Sequence, residues 1–287
     1  MSLTNKIDFA VFFKVVNANP NGDPLNGNRP RTIYEGNGEV SDVCIKRKIR
    51  NRLMEAGKSI FVQSDDNKND GHGSLKSRAD AVLSGIKGAD EIAQKACETW
   101  LDVRTFGQLF AFKAAGGKKA KSKEGEAATG TGDDKGVSIG IRGPVSVQSA
   151  FSITPVSVTS TQITKSVSGE GDGSKRGSDT MGMKHRVDHG IYVFYGSMNP
   201  QLAVKTGFSD ADAETIKAVL PKLFENDASS ARPEGSMAVE KVFWWRHNSK
   251  AGQYSSAKVH RTLSVKEDGS FRLENLDGLH PEIMDGF

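Results

Sequence analysis

Ile7, Phe9, Val11, Phe13 and Val15 occupy alternate positions near the start of the chain, a two-residue period that predicts a β-strand over Lys6–Asn17 with one fully apolar face. An irregular stretch rich in Asn, Gly and Pro follows from Asn19, and it runs directly into a helix. Ser41 or Asp42 can cap that helix and Gly57 stands where helices commonly stop. Ile45, Ile49, Leu53 and Ala56 recur at the spacing that places them on one buried face. Strand, loop and helix thus form a βα opening, and the rest of the chain reads as support for it.

The other faces of the helix carry Lys46, Arg47, Lys48, Arg50 and Arg52, five like charges in seven residues. Such charges repel one another, so a helix bearing them gains from a polyanion laid against it; the plainer reading is a solvated basic face. The preceding loop favours the polyanion. Asn19, Asn21, Asn26 and Asn28 can bond base edges or sugar hydroxyls, Gly22 and Gly27 let a backbone come close, and Arg29 and Arg31 can pair with phosphates. Net charge is only +4 across 287 residues, with a pI near 8.9, so clustering matters more than bulk charge. Further clusters are "GGKKAKSK" at Gly116–Lys123, "GSKRGS" at Gly173–Ser178 and "MKHR" at Met183–Arg186.

The run "NPNGDPLNGNRPR…VSDVCIKRKIRNRL" after a first strand resembles the Cas-seven (Csd-two) backbone subunits of type I-C CRISPR Cascade, in the RAMP superfamily. "GIRGPVSVQSAFSITPV" at Gly140–Val156 and "MGMKHRVDHGIYVFYGSMN" at Met181–Asn199 resemble that family's central strand and the strand after its thumb. Together these blocks cover about a third of the chain.

Further along, Ser64–Leu75 is a polar excursion, and Ala89–Trp100 and Leu101–Phe112 read as helical. Lys113–Gly136 has no aromatic or large aliphatic residue and reads as an insertion that cannot build a core. Val137–Val158 reads as a strand pair broken at Gly143-Pro144 and Pro155, and Val187–Tyr195 as a strand reached after a Ser/Thr/Gly-rich projection. Ser209 caps a helix to about Asn226, with Asp212 in the capping-box position, Ile216, Val219, Leu220 and Leu223 inward, and a kink at Pro221. Val239–His247 is a last core strand, and Val259–Val265 with Ser270–Leu273 form a terminal hairpin across "EDGS". This order predicts an α+β fold, a ferredoxin-like palm of the RNA recognition motif type with large loop insertions and a β-hairpin thumb. The whole chain, 1–287, reads as one RAMP-type domain, with inserted finger loops at 64–88 and 113–136 and a thumb at 157–186. The usual exposed base-stacking aromatics are missing, because "DFAVFFKVV" is too apolar.

Other chemistries find little support. Gly57-Lys58-Ser59 ends like a phosphate loop, but Arg52 stands where the leading Gly is required. Asp65, Asn67 and Asn69 alternate like calcium ligands without the Gly and closing Glu of that loop. His185 and His189 have helical metal spacing in a segment that reads as a strand. No metal and no cofactor are therefore expected. Cys44 and Cys97 sit beside apolar neighbours in predicted helices, as reduced, buried thiols would rather than a disulfide. No apolar run is long enough to span a bilayer and the N-terminus lacks signal-peptide features, so a cytoplasmic protein without membrane contact is expected.

The resemblance implies a non-catalytic subunit that polymerises along CRISPR RNA (crRNA) beside other Cascade subunits and presents spacer bases for pairing with target DNA. A protein that accepts any spacer cannot read base edges. The candidate contacts are Lys46, Arg47 and Arg50 for phosphates, with Asn19, Asn21, Arg29, Arg31, Arg142 and Gln148 for sugar and backbone. Met181, Met183 and Lys184 are the candidates for the wedge that the family's thumb drives between bases. Two alternatives are a metal-dependent endoribonuclease using Asp23, which can equally bond its own loop as an Asx turn, and a scaffold whose basic helix meets an acidic protein.

Overall fold

Strand β1 (Ile7–Ala18) lies inside an eight-stranded antiparallel sheet in the computed structural model, which describes residues 1–112, 137–164 and 181–287. After it come a small hairpin of β2 (Gly22–Asp23) and β3 (Arg29–Pro30), then β4 (Asn37–Val40) and helix α1 (Asp42–Glu55). Helices α2 (Leu75–Leu83), α3 (Ala89–Thr99) and α4 (Leu101–Phe106) lead to a hairpin of β5 (Gly107–Phe112) and β6 (Val137–Arg142). Strands β7 (Val145–Val147), β8 (Ala150–Pro155), β9 (Val158–Thr164) and the long β10 (Met181–Met198) follow. Helices α5 (Pro200–Thr206) and α6 (Asp210–Val219) precede β11 (Met237–Arg246). The chain ends with α7 (Ser256–His260), a hairpin of β12 (Leu263–Val265) and β13 (Phe271–Leu273), and β14 (Glu282–Asp285).

The strand order is β14-β11-β1-β10-β8-β4, with β7 and β9 also paired to β10. The alternation in β1 sends Ile7, Phe9, Val11, Phe13 and Val15 into one core with Ile45, Ile49 and Leu53 of α1 and Ala213, Ile216 and Val219 of α6. Each such large side chain contributes roughly 1.5–3 kcal/mol on burial. Register matters here: Phe9 lies opposite Gly196, where an added Cβ would meet the Phe9 ring at 2.1 Å. The opposite face is covered too. Ala10 and Phe12 pack with Phe243, Trp245, Val259 and Leu263 under the C-terminal segment. A third core joins Phe61, Ala79, Leu83, Ala96, Trp100, Phe110 and Ile139, and holds α2, α3 and the β5–β6 hairpin together.

Several expectations change. The helix expected over Leu101–Phe112 stops at Phe106, because Gly107 takes φ 82° and the chain turns into β5; a Cβ there would meet the Ile141 carbonyl at 2.2 Å. The stretch 64–88 contains α2, capped by Ser74 and Ser77, so it is not loop throughout. The Ser209–Asp212 capping box is present, but α6 ends at Val219 and Pro221 sits in a following 3-10 turn. Val259 and His260 belong to α7, so the terminal hairpin starts only at Leu263. α5 and β14 had no counterpart in the sequence reading. Ala56 is exposed rather than on the buried face, and of the two free thiols Cys97 is buried as expected while Cys44 is only half-buried. The insertion at 113–136 and the "GSKRGS" cluster lie outside the described residues.

Candidate nucleic-acid interface

The Asn/Gly loop is built by its own polar side chains. Asn19 is buried and its Nδ2 donates to the Asn28 carbonyl at 2.7 Å, while Asn28 takes φ 60°. Asn21 Oδ1 accepts from both the backbone N–H and the hydroxyl of Ser41, at 3.0 and 2.8 Å. Ser41 in turn accepts the Cys44 N–H and caps α1, so Asn21 fixes the loop to the helix start. Asp23 accepts the Leu25 N–H at 3.2 Å in an Asx turn and lies 3.4 Å from Arg31. These residues shape the loop. What they leave outward are Leu25 (98% exposed), Arg29 and Tyr34 (102%).

The five cations of α1 do not form one free face. Lys48 is fully buried, pairs with Asp227 and lies 5.5 Å from the Phe224 ring centroid. Burial pushes its ammonium below the ordinary lysine range, with Asp227 opposing. Arg50 donates to Asp102 at 2.9 Å and stacks over Phe106, and Arg52 pairs with Glu55. Lys46 pairs at 2.9 Å with Asp42 one turn earlier, a part-exposed contact worth only a few tenths of a kcal/mol. Arg47 has no ion pair among the described residues. Asp66 is lowered first by the Ser64 hydroxyl and its own backbone N–H, with Arg47 and Arg232 adding at longer range. Beside Arg47 opens a pocket of about 340 Å³ between the start of α1 and Val62–Ser64, with Val43, Cys44, Asn21 and Gln63 in its walls.

A β-hairpin projects from the sheet where β9 pairs with the first half of β10, Met183 opposite Gln162 and Lys184 opposite Thr161. Met181, Met183 and Ile163 are exposed along it, as is Lys184. Residues 165–180 lie outside the described residues. His185 is buried with Nδ1 2.8 Å from the Ser160 hydroxyl, while His189 is exposed further along the same strand. Among the described residues no three His, Cys, Asp or Glu side chains converge as metal ligands would. Arg142 ends β6 and is exposed, as is Gln148, whose backbone N–H donates to the Tyr195 carbonyl.

The profile of the family "CRISPR-associated protein Cas7" matches residues 5–278. This chain belongs to the Cas7 family. A Haloferax volcanii protein described as CRISPR-associated protein Cas7 is 26% identical over 293 residues, covering 99% of this chain and 82% of that one. Two solved chains, described as a CRISPR RNA-guided surveillance complex in a pre-nicking state and a CRISPR RNA-guided surveillance complex, align with TM-scores of 0.48 and 0.42. They are 17% and 16% identical, and cover 84% and 95% of this chain and 75% and 77% of theirs.

In this Cas7-family chain the mixed α/β architecture is built on one large antiparallel sheet. Sequence reasoning passed over Val43 and Tyr34. Val43 lies off the i, i+4 apolar row of α1, and that offset was its signal: a 68% exposed aliphatic on a helix otherwise lined with charge. Tyr34 stands at the tip of the turn closed by Ile33 and Gly36.

Proposed function

We propose that this chain is the non-catalytic backbone subunit of a type I-C CRISPR surveillance complex, many copies lying side by side along crRNA in the cytoplasm. The observation that carries this reading is the surface where the Asn/Gly loop meets α1. It leaves Arg47 and Arg29 without an ion pair among the described residues and solvent-accessible, while the Asn19 and Asn21 side chains are spent on holding the loop and the helix cap. A surface of free cations, with Asn19 and Asn21 turned to the loop itself, suits sequence-independent grip on phosphate and sugar.

The ferredoxin-like reading of the palm is supported by the order β11-β1-β10-β8 with α1 and α6 packed on one face. Arg29, Arg47, Arg142, Gln148 and Lys184 are the proposed contacts, with Lys46 able to exchange its weak partner Asp42 for a phosphate. Asn19, Asn21, Arg31 and Arg50 act by positioning. Met181 and Met183 supply the apolar wedge of the thumb, and the bases between wedges pair with target DNA. The palm sheet is no stacking platform, since both its faces are buried.

The test is the mass of complexes formed with unrelated single-stranded RNAs of increasing length at two salt concentrations. Mass should rise in subunit steps with length, independently of sequence and more weakly at high salt. A single copy on one preferred sequence, or RNA shortened in an Asp23-dependent manner, would overturn the reading.

A further inference from the structure

The pocket at the start of α1 points to a more specific role, one that rests on the RNA-binding reading. We infer that it seats one nucleobase of the bound strand against Val43, Cys44 and Val62, with Arg47 on the adjoining phosphate, and that it does so without reading the base.

The polar groups around the pocket carry the argument. Asn21 Oδ1 is occupied by two donors from Ser41. Gln63 Nε2 donates to the Ile60 carbonyl at 2.9 Å and its Oε1 accepts the Asn69 N–H at 3.1 Å. Arg50 is held by Asp102 and lies over Phe106. Asn21, Gln63 and Arg50 thus have internal partners, and the Ser64 hydroxyl in the same wall is buried and acts on the Asp66 carboxylate, so the edges of a base find no exposed, dedicated donor or acceptor to select it. What the pocket offers instead is apolar wall and one cation. Val43 is largely exposed, Val62 and Cys44 are half-buried, and Arg47 has no ion pair among the described residues. A volume of about 340 Å³ falls at the small end of ligand pockets, suited to a flat ring rather than a peptide. A flat apolar face beside an anion is the chemistry of a nucleotide, and face contact is sequence-tolerant because every base has one.

Cys44 gives a direct reporter. It lies in the pocket wall, whereas Cys97 is buried and its thiol is pushed up to about 11 by that burial, so alkylation by iodoacetamide should mark Cys44 selectively. With the full chain saturated by a 30-nucleotide RNA, the rate at Cys44 should fall about tenfold, a protection equivalent to roughly 1.4 kcal/mol and within the range for one stacked base. Uridine, adenosine and cytidine homopolymers should protect alike, and an abasic strand of equal length should not. If RNA binds and Cys44 is labelled as fast as in the free protein, the seat is refuted while RNA binding stands. Equal protection by the abasic strand, or protection by one base alone, also refutes it. If no RNA binds at all, the underlying reading fails with it. Val43→Asp should remove the protection yet leave the fold intact, because the side chain projects into solvent.

Discussion

Arg50 in α1 donates its Nε–H to the carboxylate of Asp102 at the start of α4, 2.9 Å away, and that carboxylate also accepts the N–H groups of Phe61 and Val62 at 2.6 and 3.0 Å. Asp102 is buried, so the guanidinium is its counter-ion and ties α1 to the α2–α4 region. Removing one member of such a pair leaves the other charged and desolvated. Arg50→Ala is therefore expected to cost about 3 kcal/mol, or roughly 6–12 °C in Tm. Arg47→Ala, which breaks no ion pair, should stay within about 0.5 kcal/mol of the parent. Thermal unfolding of the two variants decides the matter; an Arg50→Ala protein as stable as Arg47→Ala would show that the Asp102 junction holds nothing together.

Lys48 makes the same point with a different remedy. Its stem is packed against Phe224 and its ammonium faces Asp227, which also accepts from Arg232 at 3.0 Å. Lys48→Ala loses both packing and counter-ion, with an expected cost of about 3 kcal/mol. In both variants Arg232 remains to neutralise Asp227, but Lys48→Met also keeps the packed stem, so most of that loss should return. Urea unfolding that finds the two variants equally unstable would show that the packed stem contributes little and that the loss is one of charge.

These two ion pairs also mark the boundary of what the sequence could disclose. The period of β1, the Ser41 cap and the Ser209–Asp212 capping box are local patterns, and each appears in the structure where its residues predict it. The partners of Arg50 and Lys48 lie 52 and 179 residues away. Nothing near α1 could announce them, so a run of cations with distant counter-ions looked like one free basic face. The same distance hides β5: "GQLFAF" becomes a strand only because β6, beyond the 113–136 insertion, pairs with it. Of the candidate contacts, Arg29, Arg142, Gln148, Lys184, Met181 and Met183 are exposed and Arg47 is half-buried, whereas Asn19 and Asn21 are engaged with the loop and the helix cap.

The loop before α2 carries an acid-sensitive latch. Arg78 forks onto Asp70, with Nη2 2.8 Å from Oδ1, while its Nη1 donates to the Phe61 carbonyl at 2.8 Å. The hydrogen bonds from Arg78 hold the Asp70 carboxyl at about 2, against burial that acts the other way. Because the folded value is depressed, the stabilisation is present above the unfolded value near 4 and is lost as pH falls towards 2. Amide exchange in 61–78 should therefore accelerate across that window relative to β1, and Asp70→Asn should show the faster exchange already at neutral pH. Exchange in the parent that does not change between pH 4 and 2 would rule out the latch.

The β9–β10 hairpin, proposed above as a thumb, gives a test that separates two kinds of contribution to the proposed assembly. Met181 and Met183 are exposed on one strand, with Gln162 Nε2 3.3 Å from the Met181 sulfur, and neither touches the main core. Replacing both by Ser should leave the unfolding free energy within about 0.5 kcal/mol of the parent, since no buried contact is lost. If they wedge between bases, the double variant should still bind short RNA but add copies less readily on longer strands. That loss should not vary with salt, because an apolar insertion releases no counterions. Arg47→Ala should do the opposite, reducing the slope of log affinity against log salt by about 1 while mass steps persist at low salt. Double-variant steps identical to the parent's would remove the methionines from the wedge, and a change in salt slope would mean that they act by repositioning Lys184.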